Sequence, residues 1–210
     1  MIKVVIVDDH AILRRGLHQI IVESGDMEVV GEADTSAAAL RLLREQPCNV
    51  LLLDVTLPDR NGVETLKLVR KEFPKLQVLM LSMHPENQYA VRALKAGAAG
   101  YLTKQSAPAQ LVSAIRQVNQ GRKYVTPAVA EELAQSLGQD IETPLHHALS
   151  NREFQTLCLI ASGKTLTEIA GQMSLSVKTV SVYRARLLEK MRLRNNAELT
   201  HYAIKNQIVE

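Results

Sequence analysis

Five short apolar runs punctuate the first half of the chain, and more polar stretches separate them. The runs are Val4–Val7, Met27–Ala33, Val50–Leu53, Val78–Ser82 and Gly100–Thr103. Brief runs rich in valine, isoleucine and leucine are typical of strands that are buried on both faces of a parallel sheet. The pattern therefore predicts a five-stranded sheet.

The segments between these runs carry apolar residues at helical spacing. In the first segment they recur every three or four residues, at Leu13, Leu17, Ile20 and Ile21. This spacing predicts a helix with one apolar face. The predicted helices lie near residues 12–24, 36–45, 62–73, 86–96 and 108–120. Strands that alternate with helices through right-handed crossovers form a doubly wound parallel α/β sheet.

Charged residues stand where three of the predicted strands end. Asp8 and Asp9 follow the first strand, Asp54 follows the third and Lys104 follows the fifth. In an open parallel sheet these ends share one edge, and ligands bind there at the point where the strand order reverses. Carboxylates at such an edge favour a hard divalent cation, so we predict a site for such a cation there. His10 is interpreted as a loop residue and not as a ligand.

The chain has 210 residues, which leaves enough sequence for a small second domain after the fifth predicted helix. We predict a first domain at residues 1–120, a linker at 121–146 and a second domain at 147–210. The linker has turn-forming glycines and prolines around one short helical pattern, at Val129, Ala130, Leu133 and Leu137.

The sequence also suggests a cellular location. It has no run of roughly eighteen apolar residues and no signal-peptide pattern at its start, so we expect a cytoplasmic protein with no membrane partner. Cys48 and Cys158 are far apart and lie beside apolar residues, so both are expected to be reduced thiols without a function.

Positive charge is concentrated toward the C-terminus. Residues 150–210 contain 9 Lys and Arg against 5 Asp and Glu, whereas residues 1–120 contain 14 against 13. The excess suggests an anionic partner, although charge alone does not identify one.

Two helix starts are marked in this basic region. Ser150–Glu153 and Thr165–Glu168 both fit the capping box, in which a hydroxyl and a glutamate satisfy each other's backbone amides. The second helix, predicted at Leu166–Met173, is short, and a turn leads from it to a third helix that begins at Val177. This order predicts a small all-α helix-turn-helix domain that binds double-stranded DNA.

The third helix divides into a packing face and a small, partly polar face. The packing face is predicted to contain Val177, Val180, Leu187 and Met191. The face that approaches base edges is predicted to contain Lys178, Ser181, Val182 and Ala185. Contacts to phosphates are predicted for Lys178, Thr179, Arg184 and Arg186. For this helix alone, an ordinary amphipathic helix with a solvated charged face is the alternative.

Two sets of motifs resemble known domains. A resemblance to the flavodoxin-like receiver of response regulators rests on Asp8-Asp9-His10, Leu53–Pro58, Ser82 and Lys104. A resemblance to the LuxR-type helix-turn-helix rests on Leu149–Glu153, Ala161–Thr165, Glu168–Ala170, Ser176–Val180 and Ala197–Leu199. Together the two sets cover nearly the whole chain, which therefore resembles the NarL/FixJ family of two-component response regulators. Arg184 stands where many members of that family have an apolar residue.

The resemblance implies roles at the predicted sheet edge. Asp54 would accept a phosphoryl group from a sensor histidine kinase or a phosphotransfer protein, with help from Lys104 and Ser82. Mg²⁺ would be held by Asp9, Asp54 and the backbone carbonyl of Thr56, with Asp8 in support through water. Such roles agree with phosphoryl-transfer chemistry, which depends on positioning and on neutralising charge.

The resemblance also implies how the signal would reach DNA. The phosphoryl group adds about −1.5 to −2 charges, which would draw the Ser82 hydroxyl inward and let the Tyr101 ring follow. Plain packing is the alternative for both residues. Phosphorylation would promote a homodimer on DNA, with contacts from a last helix at Ala197–Asn206. The dimer residues would be Leu199, Tyr202 and Ala203; the alternative is that these residues only close the small core.

Two other functions stay open. A phosphorylation-independent regulator with a vestigial receiver is one, but such a protein would not need to keep every aspartate of the site as well as Ser82 and Lys104. An aspartate-nucleophile phosphatase would share Asp54, but it needs a second carboxylate two residues later, where Thr56 stands. We therefore expect no enzyme activity beyond the receiver's own phosphoryl transfer and dephosphorylation.

Overall fold

The structure is a computed structural model that describes residues 1–83, 86–127, 129–131, 133, 144–206 and 208–209. It divides after Leu133 into two compact units, which are described separately below. The domain bounds derived from the sequence stay a prediction. Among the described residues, no helix combines the length and the hydrophobicity needed to cross a bilayer.

The first unit alternates strands with helices. The strands are β1 (Ile2–Val7), β2 (Met27–Ala33), β3 (Val50–Asp54), β4 (Gln77–Ser82) and β5 (Gly100–Thr103). The helices are α1 (Ala11–Glu23), α2 (Ser36–Glu45), α3 (Gly62–Glu72), α4 (Glu86–Lys95) and α5 (Ala107–Asn119). The predicted doubly wound α/β fold is confirmed, with element ends that differ from the prediction by at most two residues.

All five strands pair in parallel, in the order β2-β1-β3-β4-β5. Every residue of Val4–Val7 and Val50–Leu53 is fully buried, as expected for strands covered by helices on both faces. The strand order reverses between β1 and β3. The residues that follow these two strands therefore meet at the switch point of the sheet.

The second unit is helical. Its elements are a 3₁₀ turn (Leu145–Ala148) followed by α6 (Asn151–Ala161), α7 (Leu166–Gln172), α8 (Val177–Met191) and α9 (Asn196–Lys205). Both predicted capping boxes are formed, at the starts of α6 and α7. The turn between α7 and α8 is tight, because Ser174 adopts the left-handed conformation at φ 53 and Leu175 N–H donates to the carbonyl of Ala170.

The core of this unit corrects one prediction about α8. Val180, Leu187 and Met191 are buried as expected, but Val177 is 44% exposed. Val177 is the first residue of the helix, so no preceding turn covers it. For the predicted linker helix, Pro127, residues 129–131 and Leu133 have helical backbone, and Leu137 lies outside the described residues.

Candidate functional site

Three side chains meet at the switch point of the sheet. Lys104 Nζ lies 2.7 Å from Asp8 Oδ2 and 2.7 Å from Asp54 Oδ2. Asp8 is fully buried, Asp54 is 1% exposed and Lys104 is 6% exposed. The convergence predicted from the strand ends is therefore present, with one ammonium group shared by two buried carboxylates.

This arrangement changes the affinity of the groups for protons. Burial raises the pKa of Asp54 from 3.8 to about 6, although Lys104 acts in the opposite direction and Asp8 adds to the rise. Burial alone would lower the pKa of Lys104, but the two carboxylates, Asp54 foremost, raise it above its ordinary value. The lysine therefore stays charged, and the pKa of the Asp54 carboxyl lies closer to neutral pH than that of an ordinary aspartate.

Asp9 and His10 form the outer rim of the same site. The Asp9 side chain is 34% exposed and that of His10 is 60% exposed. One ligand atom from each of Asp8, Asp9, His10 and Asp54 lies within 4.8 Å of the others. Three carboxylates at this spacing match the oxygen ligands that Mg²⁺ and Mn²⁺ prefer, so the residues present fit the metal implied by the family.

His10 is closer to this cluster than the sequence suggested. Its Nδ1 lies 2.7 Å from Asp9 Oδ1 and 3.2 Å from Asp8 Oδ1. Its backbone N–H also donates to Asp8 Oδ1 at 2.8 Å. In the sequence, the one sign that His10 belongs to this cluster is its position directly after two aspartates. That position does not show where the His10 ring points.

Backbone contacts hold Asp54 in place. Asp54 Oδ1 accepts a hydrogen bond from Thr56 N–H at 3.1 Å, and Val55 N–H donates to Leu81 O at 2.9 Å. Gly62 packs against the end of β3, where a Cβ atom would collide with the carbonyl oxygen of Asp54. Only glycine permits this close approach, so the start of α3 helps to position the carboxylate.

The two predicted switch residues are buried near this edge. Ser82 is the last residue of β4 and is fully buried, and its backbone carbonyl accepts a 2.7 Å hydrogen bond from Lys104 N–H. Tyr101 is 2% exposed, so its ring already lies in the interior. The switch roles of both residues stay a prediction.

The exposed surface of α8 carries most of the residues predicted to face DNA. Lys178, Ser181, Val182, Ala185 and Arg186 are exposed, whereas Thr179 and Arg184 are half-buried. The Thr179 hydroxyl lies 2.8 Å from that of Ser176, the N-cap residue of α8. Arg184 Nε donates to Asn196 Oδ1 at 2.6 Å, a contact that the sequence did not reveal.

The last helix closes the core of the second unit. Leu199 and Ala203 are fully buried within a single chain, so their side chains have no surface left for a dimer contact. Tyr202 is half-buried, and its hydroxyl lies 3.0 Å from His146 Nδ1. On the same helix Ile204 is 53% exposed. A dimer contact through α9 would therefore have to use exposed positions such as Ile204.

Two family models match the chain. The model described as the response regulator receiver domain matches residues 4–116, and the model described as bacterial regulatory proteins of the luxR family matches residues 147–203. Together they cover most of the chain. The protein is therefore a response regulator with a receiver and a LuxR-type DNA-binding domain.

Curated relatives are similar over the whole length. Response regulator UvrY of Escherichia coli (strain K12) is 37% identical over 207 residues, which cover 98% of this chain and 95% of the relative. Response regulator GacA of Pseudomonas aeruginosa is 35% identical over 212 residues, which cover 100% and 99%. The chain belongs to the NarL/FixJ family of response regulators and is a phosphorylation-controlled regulator of transcription.

Solved structures of RcsB from Salmonella enterica serovar Typhimurium share the fold. RcsB bound to promoter rprA in the presence of phosphomimetic BeF₃⁻ has a TM-score of 0.66 and 27% identity, and the match covers 96% of this chain and 98% of that one. RcsB bound to promoter P1flhDC, also with BeF₃⁻, has a TM-score of 0.65 and 29% identity over 96% and 97%.

Proposed function

We propose that Asp54 is the phosphoacceptor of this regulator. The observation that carries the proposal is Lys104 Nζ at 2.7 Å from Asp54 Oδ2 and, at the same distance, from Asp8 Oδ2. A receiver that had lost its function would have no need to bury two carboxylates around one lysine. The geometry therefore favours a working phosphoryl site over a vestigial one.

In the proposed reaction an Asp54 carboxylate oxygen attacks the phosphorus of a phosphohistidine. The new O–P bond forms while the N–P bond breaks, and the histidine of the donor leaves with the electron pair. Asp9, Asp54 and the Thr56 carbonyl would hold Mg²⁺, supported by Asp8, and the metal would neutralise phosphoryl oxygens. Lys104 supplies a second positive charge to the same oxygens. Because the Asp54 side chain is 1% exposed, the donor has to displace the side chains at the rim.

Phosphorylation would then act on the neighbouring strand ends. The new anion competes for Lys104, whose backbone is hydrogen-bonded to Ser82. The Ser82 hydroxyl can donate to a phosphoryl oxygen, and Tyr101 on the adjacent strand would respond to that movement. The receiver itself would catalyse this transfer and the later hydrolysis.

A protein donor, such as a sensor histidine kinase, would dock beside the site. Ile12 lies in the first turn of α1, two residues after His10, and is 90% exposed. Single exposed apolar side chains are common on protein surfaces, so Ile12 is proposed as a donor contact because of its position beside the site. Ile12→Ala should slow transfer from a phosphorylated sensor kinase without changing transfer from acetyl phosphate. Val22→Ala, at the exposed far end of α1, is the matched control.

Intact-mass measurement with acetyl phosphate and Mg²⁺ tests the phosphoacceptor. The wild-type protein should gain one phosphate, and Asp54→Asn should gain none. Asp59→Asn is the matched control, because Asp59 is an exposed loop aspartate whose carboxylate caps α2 through Ser36 N–H and Ala37 N–H. No gain on wild type would support the vestigial receiver, and continuous release of phosphate would support the phosphatase.

For DNA we propose that α8 enters the major groove of a site bound by a homodimer. Lys178→Ala or Arg186→Ala should weaken binding to every sequence and reduce the salt dependence by about one counterion. Val182→Ala should instead change the preference among sites. Ile204→Asp should impair dimer formation on DNA, and an unchanged stoichiometry would exclude this face of α9.

A further inference from the structure

A hydrogen bond joins α8 to the start of α9. Arg184 Nε donates to Asn196 Oδ1 at 2.6 Å, across 12 residues of sequence. Arg184 is half-buried, and Asn196, the first residue of α9, is exposed. The bond is therefore at the surface of the second unit, between α8 and α9.

Arg184 lies on one flank of α8. An α-helix turns by about 100° per residue, so Arg184 is about 120° around the axis from Lys178, which is exposed. Val180 and Leu187, both fully buried, define the packing side. Arg186 occupies the opposite flank, between the exposed and packing faces. When a helix lies in the major groove, its flanks face the phosphates of the two groove walls.

The chemistry of the contact suits a phosphate ligand. A hydrogen bond at Nε fixes the plane of the guanidinium group and leaves both Nη groups available to a phosphate. The structure shows no other hydrogen bond or ion pair for Arg184 among the described residues. An amide oxygen orients the cation without neutralising it, whereas a carboxylate would remove the net charge that attracts DNA.

We propose that Asn196 is a positioning residue for DNA binding, which holds the Arg184 guanidinium ready for a backbone phosphate. The inference rests on the proposed function, because it takes Arg184 as a phosphate contact. Preorganisation of this side chain reduces the conformational entropy lost on binding.

Binding to a duplex of random sequence, measured by fluorescence anisotropy at several salt concentrations, tests the proposal in the full-length chain. Asn196→Ala should weaken binding severalfold and leave the salt slope almost unchanged, because Arg184 still reaches the phosphate. Asn196→Asp should weaken binding more and reduce the slope by about 0.9, since the carboxylate now pairs with Arg184. Ala197→Asp adds the same charge one residue away and is the matched control.

A double-mutant cycle separates this inference from the function on which it rests. If Arg184→Ala does not weaken binding, the phosphate contact itself is wrong. If Arg184→Ala does weaken binding, the effect of Asn196→Ala is compared with and without Arg184. An equal loss of affinity in both backgrounds would overturn the positioning role. Asn196→Ala combined with Arg186→Ala should be additive, because Arg186 is on the other flank.

Thermal melting of the variants distinguishes a loss of DNA affinity from a loss of folded protein. An acidic residue in the first turn of a helix is favourable, so Asn196→Asp should melt no lower than wild type even though it binds DNA less well. Asn206→Ala, which removes an amide at the other end of α9, should leave DNA binding unchanged. If Asn196→Asp and Ala197→Asp reduced affinity and slope equally, general charge repulsion would replace the proposed contact.

Discussion

Replacing Asp54 with asparagine should stabilise the receiver unit when no metal is bound. Asp54 is 1% exposed and shares the ammonium group of Lys104 with the fully buried Asp8. Two buried carboxylates beside one cation leave a negative charge without compensation, and such a charge is expensive to bury. Asparagine has nearly the same shape and carries no charge, so it removes the excess.

The size of the effect follows from the pKa of Asp54, which burial raises from 3.8 to about 6. One pKa unit corresponds to about 1.4 kcal/mol, so ionised Asp54 costs the folded state about 3 kcal/mol. The substitution removes this cost but loses about 1 kcal/mol in hydrogen bonding, because the single amide oxygen of asparagine cannot accept from both Thr56 N–H and Lys104 Nζ. The net stabilisation should be about 2 kcal/mol.

The effect depends on pH in a defined direction. Because the pKa of Asp54 is raised on folding, the folded state loses stability as the pH rises from 3.8 through about 6. The advantage of Asp54→Asn should therefore be present at about pH 7.5. It should vanish or reverse below about pH 4, where the aspartic acid is protonated in both states.

Native-state hydrogen exchange of the β1 and β3 amides measures this free energy, because central strands exchange through global opening. Wild type and variant are compared in EDTA at both pH values. Added Mg²⁺ is the control, since it should raise the protection of wild type far more than that of the variant. Equal or lower protection of Asp54→Asn at the higher pH would refute the reasoning.

Three further predictions concern the surroundings of the site and the second unit. Lys104→Met should destabilise the metal-free receiver unit by about 3–5 kcal/mol at neutral pH and less in acid, because two buried carboxylates lose their cation; hydrogen exchange measures this. Gly62→Ala should cost about 1–3 kcal/mol and slow phosphorylation by acetyl phosphate, whereas Gly16→Ala, with nothing within 4 Å, should do neither. Glu153→Ala should lower the calorimetric melting temperature more than Glu168→Ala, because only Glu153 is buried and ion-paired to α8; equal shifts would contradict this.

The sheet and the edge that carries the site could be predicted because both leave strong local signals. Continuous apolar runs identify buried strands, and a strand that ends in an acid places that acid at the ligand-binding edge. Asp8, Asp54 and Lys104 therefore converge as the sequence indicated. The helix starts at Ser150 and Thr165 were equally visible, since a capping box spans only four residues.

The features that sequence analysis predicted wrongly or left open depend on contacts between distant residues or on the direction of one side chain. Val177 has the spacing of a core residue but no preceding turn to cover it. Leu199 and Ala203 fit a dimer surface and a core equally well until the packing around α9 is known. Periodicity identifies the apolar side of a helix, but it does not say whether this chain or another covers that side.

As the proposed phosphoacceptor, Asp54 would have to be both buried and charged, and these two requirements conflict. Burial excludes water and strengthens the attraction of Lys104 for a phosphoryl group, yet it also raises the pKa of Asp54 and lowers the amount of reactive carboxylate. Each change of charge at Asp54 alters the pull on the lysine, whose backbone N–H donates to Ser82 O at 2.7 Å. We therefore expect Lys104 to be the first point at which a change of charge at Asp54 would act on the ends of β4 and β5.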